Sequence, residues 1–599
     1  MVGALTHRGP DGAGVAARGA AAIGAVRLAI RGLHDGRQPI VDDGLGVVLA
    51  CNGEIDNHRE LRAWLAERGY QVAAATDIAV LPAMYRALGD SFVDRLVGAF
   101  AIALWDQRDH RLLLARDRAG ERHLFYEMSN GEARFATELA ALASDPCRPL
   151  SLDGPAVSGF LRYGYIAAPS CPAAGVRKVE PGHVVTLGDD GLRPHRYWRW
   201  PVATATRAAP SVDRFDEVFR EAVRRQSEVD VPYGVFLSGG VDSSLVAAVA
   251  RSVRPDHAFK AFTIRFDEAS YDEGSHAERV AETLGVPCVP VWVTPEVLPA
   301  TLTEIVRRVG EPLADPAWLP TALLARSASE EVRLALIGEG ADELFGGYPT
   351  YIGARISGGY ARLPAPLRSL FARAVRRWPA SDRKVTVSFL LKKFVDGAAL
   401  DGVARHLSWT SNISPALLER LGVRAPACHA TEPAGESLDA LQLIDFETSL
   451  AEGLLVKGDR AAMASALELR APFLDRDVME FAATLPVSER VRGITTKVFL
   501  KRFASRYLPR AIVHRRKRGL SVPLSRWLRD PLADWATERI GSEFLALAGV
   551  NRRAALDLFD EHRSRRANHA RPLWALIVLS EWLEWFVTQP RASVASETV

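Results

Sequence analysis

Residues 237–244 read Leu-Ser-Gly-Gly-Val-Asp-Ser-Ser. They follow an apolar run, residues 231–236, and they precede residues 245–253, which are rich in helix formers. A strand, a turn of small residues and a helix start together form an anion-binding loop. Gly239 and Gly240 let the backbone turn sharply with bare N–H groups pointing outward. Ser238, Ser243 and Ser244 add hydroxyl donors, and Asp242 adds a carboxylate able to hold a cation. This chemistry suits a polyphosphate with its metal. No Gly-Lys-Ser/Thr follows the turn, so the pattern is not a P-loop.

A second stretch of the same grammar occupies residues 337–348, Ile-Gly-Glu-Gly-Ala-Asp-Glu-Leu-Phe-Gly-Gly-Tyr. It too leaves an apolar run, residues 334–337, and its glycines permit close approach of backbone to a ligand. Asp342 is a partner for Asp242 in holding Mg2+, an ion that usually takes substrate phosphates plus one or two carboxylates. Glu339 is placed to accept a proton from an attacking amine.

Around these stretches, from residue 213 onward, strands alternate with helices: helix at 215–229, strands at 231–236 and 259–266, helix near 277–284. Such alternation predicts a parallel sheet with ligands at the carboxyl ends of its strands. Beyond Tyr348 the pattern turns helical. Residues 1–200 instead show short apolar runs (46–50, 99–105, 111–115, 123–126) and helical stretches at 58–68 and 78–88, which predicts antiparallel sheet with packed helices. Residues 201–212, rich in Ala, Thr and Pro, read as a linker to a second domain at 213–590, and 591–599 as a loose tail.

The 75 basic and 72 acidic side chains of the 599 residues nearly cancel, which argues against a dedicated nucleic-acid or membrane-surface protein. The densest basic run, 514–518, is too short to change that. Cys51, Cys147, Cys171, Cys288 and Cys428 are scattered with no Cys-x-x-Cys pair, so neither a disulfide framework nor a zinc site is expected. With no leader pattern and no apolar run of bilayer length, a reduced cytoplasmic setting is the expectation.

The first loop resembles the pyrophosphate loop of ATP pyrophosphatases, and the pair of loops resembles the synthetase domain of glutamine-dependent asparagine synthetases. Further matches are Lys457-Gly-Asp459-Arg460, residues 468–475 (Glu-Leu-Arg-Ala-Pro-Phe-Leu-Asp), Thr496-Lys497 and residues 516–523. The resemblance implies ATP and Mg2+ as cofactors. It implies ATP contacts from Leu237, Ser238, Gly239, Gly240, Asp242, Ser243, Ser244, Ile264, Ile337 and Gly338, with Asp242 and Asp342 as metal ligands. It further implies catalytic roles for Glu339 and for Lys497, a fixed cation suited to developing phosphate charge. In residues 1–200, His7-Arg8-Gly9-Pro10-Asp11-Gly12, Arg27, Asn52-Gly53-Glu54-Ile55 and Asp77 stand in the order of the family's glutaminase domains. By that resemblance Asn52 and Gly53 form an oxyanion hole, while Arg27, Glu54 and Asp77 grip glutamine.

The implied architecture is α/β: an amino-terminal Ntn-hydrolase-type αββα sandwich (class II glutamine amidotransferase), then a parallel-sheet, adenine nucleotide alpha hydrolase-like domain with a helical carboxyl-terminal part. The implied partners are aspartate or a related carboxylate and glutamine or ammonia, with a homodimer through the amino-terminal domain. The family's glutaminases use an amino-terminal cysteine as nucleophile, whereas this chain opens Met1-Val2-Gly3 almost on the His-Arg-Gly-Pro-Asp motif. The expectation is therefore a domain truncated at its start and a doubtful glutamine hydrolysis, with Cys51 an internal strand thiol. Ile337 stands where many relatives carry Ser, and Asp56 where Tyr is frequent. Two alternatives stay open: an intramolecular ligase like β-lactam synthetases or lasso-peptide cyclases, and a catalytically dead scaffold.

Overall fold

The computed structural model describes residues 1–129, 131–188, 191–201, 210–378, 387–426, 437–515 and 519–589. Most of the expected linker, the expected tail, Cys428 and Arg516–Arg518 of the basic run lie outside the described residues.

The amino-terminal domain is built on a six-stranded antiparallel sheet. Its spatial order is Gly191–Arg196, His183–Gly188, Arg111–Arg116, Phe100–Asp106, Val47–Gly53 and Ile40–Asp42. The strand Phe100–Asp106 shows how sequence sets the layers, because successive side chains of a strand point to opposite faces. Phe100, Ile102 and Leu104 join Leu61, Leu65, Leu81 and Met84 of the helices on one face. The small Ala101 and Ala103, with Trp105, face a second sheet that contributes Tyr126. That sheet is three-stranded, in the order Glu132–Ala136, Phe125–Ser129, Val176–Lys178. Phe125 and Ala136 on its far face pack with helices Leu139–Ala143 and Gly154–Tyr163. The domain is thus layered helix, sheet, sheet, helix.

The second domain carries a five-stranded parallel sheet: β1 (Tyr233–Phe236), β2 (Lys260–Arg265), β3 (Cys288–Trp292), β4 (Leu334–Leu336) and β5 (Glu468–Arg470). The spatial order is β3-β2-β1-β4-β5, every neighbouring pair parallel. The order reverses direction between β1 and β4, and such a switch point opens a crevice at the carboxyl ends of the strands. The sequence patterns did not anticipate β3 and β5. The first is an edge strand interrupted by Pro290, which an edge tolerates. The second is only three residues long.

The carboxyl-terminal region is helical and ends on Ala570–Val587, whose apolar residues are buried nearly all round. No helix among the described residues is long and apolar enough to cross a membrane. This helix shares one core with Phe160 and Leu161 of the amino-terminal domain, so the two domains pack through apolar surface.

Buried ion pairs stud the same interface. Arg116 and Glu452 are both wholly buried, with Nη1 2.7 Å from Oε1. Glu452 lies on a π-helical segment, Phe446–Leu454, and its second oxygen accepts from Lys178 at 3.0 Å. Arg116 also donates to the carbonyls of Gly120, Arg122 and Val179 at 2.8, 3.0 and 2.9 Å. Arg8 of the His-Arg-Gly-Pro-Asp motif forks onto Asp459 at 3.0 and 3.0 Å and reaches Glu138 at 2.7 Å. A buried charge left without its partner is costly. Arg116→Ala should therefore destabilise the folded chain by about 3–5 kcal/mol in urea unfolding, far more than removal of an exposed arginine.

Candidate active site in the crevice

The loop after β1 is shaped by its small residues. The backbone N–H of Leu237 donates to the carbonyl of Phe262 at 2.9 Å, which anchors the loop to β2. Gly239 adopts φ +67°, and a Cβ there would lie 2.7 Å from the backbone N of Ala277. Only glycine fits. The hydroxyls of Ser238 and Ser243 lie 3.1 Å apart, and the N–H groups of Ser238 and Gly240 donate to Ser243 Oγ and Ser238 Oγ at 3.2 and 3.3 Å. Asp242 sits in the first turn of helix Val241–Val253. Ser244 Oγ is buried with no hydrogen-bond partner in the chain. Ile264 lies near the carboxyl end of β2, half-buried, paired with Val291 of β3.

The loop after β4 touches the first. The N–H of Ile337 donates to the carbonyl of Arg470 at 2.9 Å. A Cβ on Gly338 would fall 2.8 Å from the backbone N of Ser243, so the two loops meet at van der Waals distance. Gly340, at φ +88°, turns the chain into the short helix Ala341–Phe345, which carries Asp342.

Lys497 closes the arrangement from 255 residues away, between the hairpin strand Thr495–Thr496 and helix Val498–Ala504. Its side chain is 2% exposed, and its Nζ stands 2.6 and 2.7 Å from the two carboxylate oxygens of Asp242 and 2.6 Å from Asp342 Oδ1. Burial alone would favour the neutral amine. The two carboxylates outweigh it and hold the ammonium above its ordinary value. Lys497 pays for this position with φ +54°, a left-handed conformation that L-residues other than glycine seldom adopt. Glu339 is half-buried beside the pair. Burial raises its carboxyl above the ordinary value; Lys457 pulls it down, and Asp242 and Asp342 push it up. Gln442 braces the loop from behind, its amide donating to the carbonyl of Leu344 at 3.2 Å.

In the amino-terminal domain, Asn52 and Gly53 end the strand Val47–Gly53, with Glu54 next to them. Gly53 has φ +134°, and a Cβ there would strike the carbonyl oxygen of Ala99 at 2.0 Å. Asn52 Nδ2 is buried with no partner in the chain. Asp77 accepts from the N–H of Ile55 at 2.7 Å, which brings it beside this strand end. The guanidinium of Arg27 donates to the carbonyls of Gly32 and Arg31 at 2.6 and 3.2 Å, and Gly32 packs against Thr76. Two residues to which the sequence reading gave no role hold Glu54: Arg31 at 3.2 Å and Arg470 of β5 at 3.1 Å. Arg470 stood in the 468–475 motif without a role; nothing in the local pattern marked Arg31. Cys51 is a buried strand thiol, and burial, then Asp77 and Glu54, push it well above its ordinary value.

Gly347 tests how tight the carboxylate–lysine pair is, since a Cβ there would meet Asp342 Oδ1 at 1.7 Å and Lys497 Cε at 2.3 Å. Gly347→Ala should lower urea stability by about 1–3 kcal/mol, the cost of forcing a methyl group into a filled site, and cut turnover by about a hundredfold, the scale of a 1 Å misplacement of reacting groups.

Residues 214–584 match the family model described as Asparagine synthase, and residues 1–198 match the one described as Glutamine amidotransferase domain. The second match corrects the expectation of a truncated amino-terminal domain: the amidotransferase domain is retained across residues 1–198. Among curated proteins, the chain is 30% identical to asparagine synthetase [glutamine-hydrolyzing] 1 of Bacillus subtilis, over 96% of this chain and 92% of that one. It is 33% identical to a putative asparagine synthetase [glutamine-hydrolyzing] of Mycobacterium tuberculosis, over 97% and 92%. With two converging loops, a buried lysine between their carboxylates and likeness along nearly its whole length, the chain belongs to the asparagine synthase family.

Proposed function

We propose that this protein is an ATP-dependent amide-forming ligase of asparagine synthetase type, acting on the side-chain carboxylate of aspartate or a close relative. The observation that carries the reading is the convergence of Asp242, Asp342 and Lys497 at the switch point between β1 and β4. The hydroxyls of Ser238, Ser243 and Ser244, with the N–H groups in the first turn of helix Val241–Val253, receive the phosphates of ATP, and Ser244 Oγ has bonding capacity to offer. Mg2+ fits the two hard carboxylate donors Asp242 and Asp342, which already share one cationic centre; when bound it supplies neutralisation of phosphate charge.

The substrate carboxylate attacks the α-phosphorus, and the bond to the bridging oxygen breaks to release pyrophosphate. Lys497 faces the charge that develops there. Ammonia then adds to the acyl carbon, AMP leaves with the bonding pair, and Glu339 accepts the surplus proton of the nitrogen. Ammonia reaches this step from glutamine or free from solution. The reading of Arg27, Glu54 and Asp77 as glutamine ligands, with Asn52 Nδ2 and the Gly53 N–H as oxyanion donors, is supported by Glu54 and Asp77 lying beside the strand end that carries Asn52 and Gly53, and by the uncommitted Asn52 amide. The helix–sheet–sheet–helix layering supports an Ntn-hydrolase-type fold for this domain, and the β3-β2-β1-β4-β5 order supports an adenine nucleotide alpha hydrolase-like fold for the other.

With ATP, Mg2+, aspartate and ammonium chloride, the protein should form AMP, pyrophosphate and asparagine in equal amounts. Formation of ADP, or pyrophosphate release indifferent to every added carboxylate, would overturn the reading. The pH profile gives a sharper check. Glu339 works ionised and its carboxyl is raised, so the acid limb of kcat/KM should lie above the ordinary carboxylate range. Lys457 lowers that carboxyl; Lys457→Met should move the limb to still higher pH, and a move to lower pH would contradict the assignment.

A further inference from the structure

Helices Pro349–Ala361 and Ala365–Arg377 lead away from the second crevice loop. Between residues 349 and 378 the chain carries Arg355, Arg362, Arg368, Arg373, Arg376 and Arg377, and not one aspartate or glutamate. Over the whole chain basic and acidic groups are 75 against 72, so the near-neutral total conceals this local excess.

The second helix buries only Val375 of its thirteen residues. Leu367, Leu370 and Phe371 are 53%, 60% and 40% exposed, and Trp378 at the helix end is 50% exposed. Positions 367, 370, 371 and 378 follow the three-and-four spacing of a single helical stripe. By the same geometry Arg373 and Arg377 lie along one margin of the stripe and Arg368 along the other, while Arg376 turns to Asp396 at 3.1 Å. Phe371 leans partly on Tyr360, with ring centroids 5.9 Å apart. Leu363 between the helices and Ile356 on the first are 43% and 52% exposed and extend the apolar surface. A contiguous apolar stripe of this kind on a water-soluble surface marks an interaction site.

The arginines decide the partner. A second copy docking the same face would set arginine against arginine, because a two-fold interface brings a patch onto itself. A nucleic acid offers phosphates to the arginines, but its backbone gives four large apolar side chains little to bury against. An anionic lipid surface satisfies both: leucine, phenylalanine and tryptophan enter the boundary between headgroups and acyl chains, and guanidiniums meet the phosphates.

We propose that helix Ala365–Arg377 seats this enzyme peripherally on membranes rich in anionic lipid. The test is cosedimentation of the full-length chain with vesicles of equal parts phosphatidylglycerol and phosphatidylcholine, compared with phosphatidylcholine alone, at low ionic strength. The bound fraction should be about tenfold greater on the anionic vesicles and should fall as salt screens the charges. Leu370→Asp and Arg373→Glu should each abolish most of that preference while carboxylate-dependent pyrophosphate release persists, which shows that the fold is intact. Equal binding to both vesicles, or unchanged binding by Leu370→Asp, would overturn the proposal. So would retention on polyglutamate or duplex DNA without binding to vesicles, which would assign the face to an acidic protein or a nucleic acid.

Discussion

The active half of this molecule depends on one buried cation. Lys497 Nζ sits within 2.7 Å of oxygens from both Asp242 and Asp342, which come from different loops of the parallel sheet. Without it two carboxylates would converge in a poorly hydrated crevice, where like charges repel strongly. With it the loops are drawn together, Gly338 can lie against Ser243, and Gly347 has no room for a side chain. The left-handed backbone of Lys497 is the conformational cost of delivering an ammonium to that point.

A second layer of electrostatics binds the domains. Arg116, Lys178 and Arg8 of the amino-terminal domain meet Glu452 and Asp459 of the carboxyl-terminal one in surroundings without water access. Such pairs add less net stability than apolar packing of equal volume, but they penalise any misaligned docking. The pair Glu54–Arg470 is of special interest, because Arg470 also accepts from Ile337 at the root of the second crevice loop. One residue of β5 thus touches both candidate sites.

Much of this was legible in the chain itself. The apolar run before Leu237 and the small residues after it dictate strand, turn and helix, and the same holds for residues 334–347. The alternation of large and small residues in Phe100–Asp106 reports a strand buried on both faces. Other features were hidden for physical reasons. β3 is broken by Pro290 and β5 is three residues long, so neither shows a strand period; their partners define them. Arg31 and Arg470 act through contacts 23 and 416 positions away from Glu54, which no local pattern encodes. The basic face of residues 349–378 vanished into a balanced total. The expectation of a truncated first domain rested on the missing cysteine and was corrected by the match across residues 1–198.

The central claim is that the crevice joins a carboxylate to the α-phosphorus of ATP. The direct measurement is transfer of oxygen from aspartate labelled with 18O in its side-chain carboxylate. During amide formation in the presence of ammonium, each AMP released should carry one labelled oxygen, with none in pyrophosphate. Label in inorganic phosphate, or unlabelled AMP formed alongside labelled asparagine, would contradict adenylation at this site.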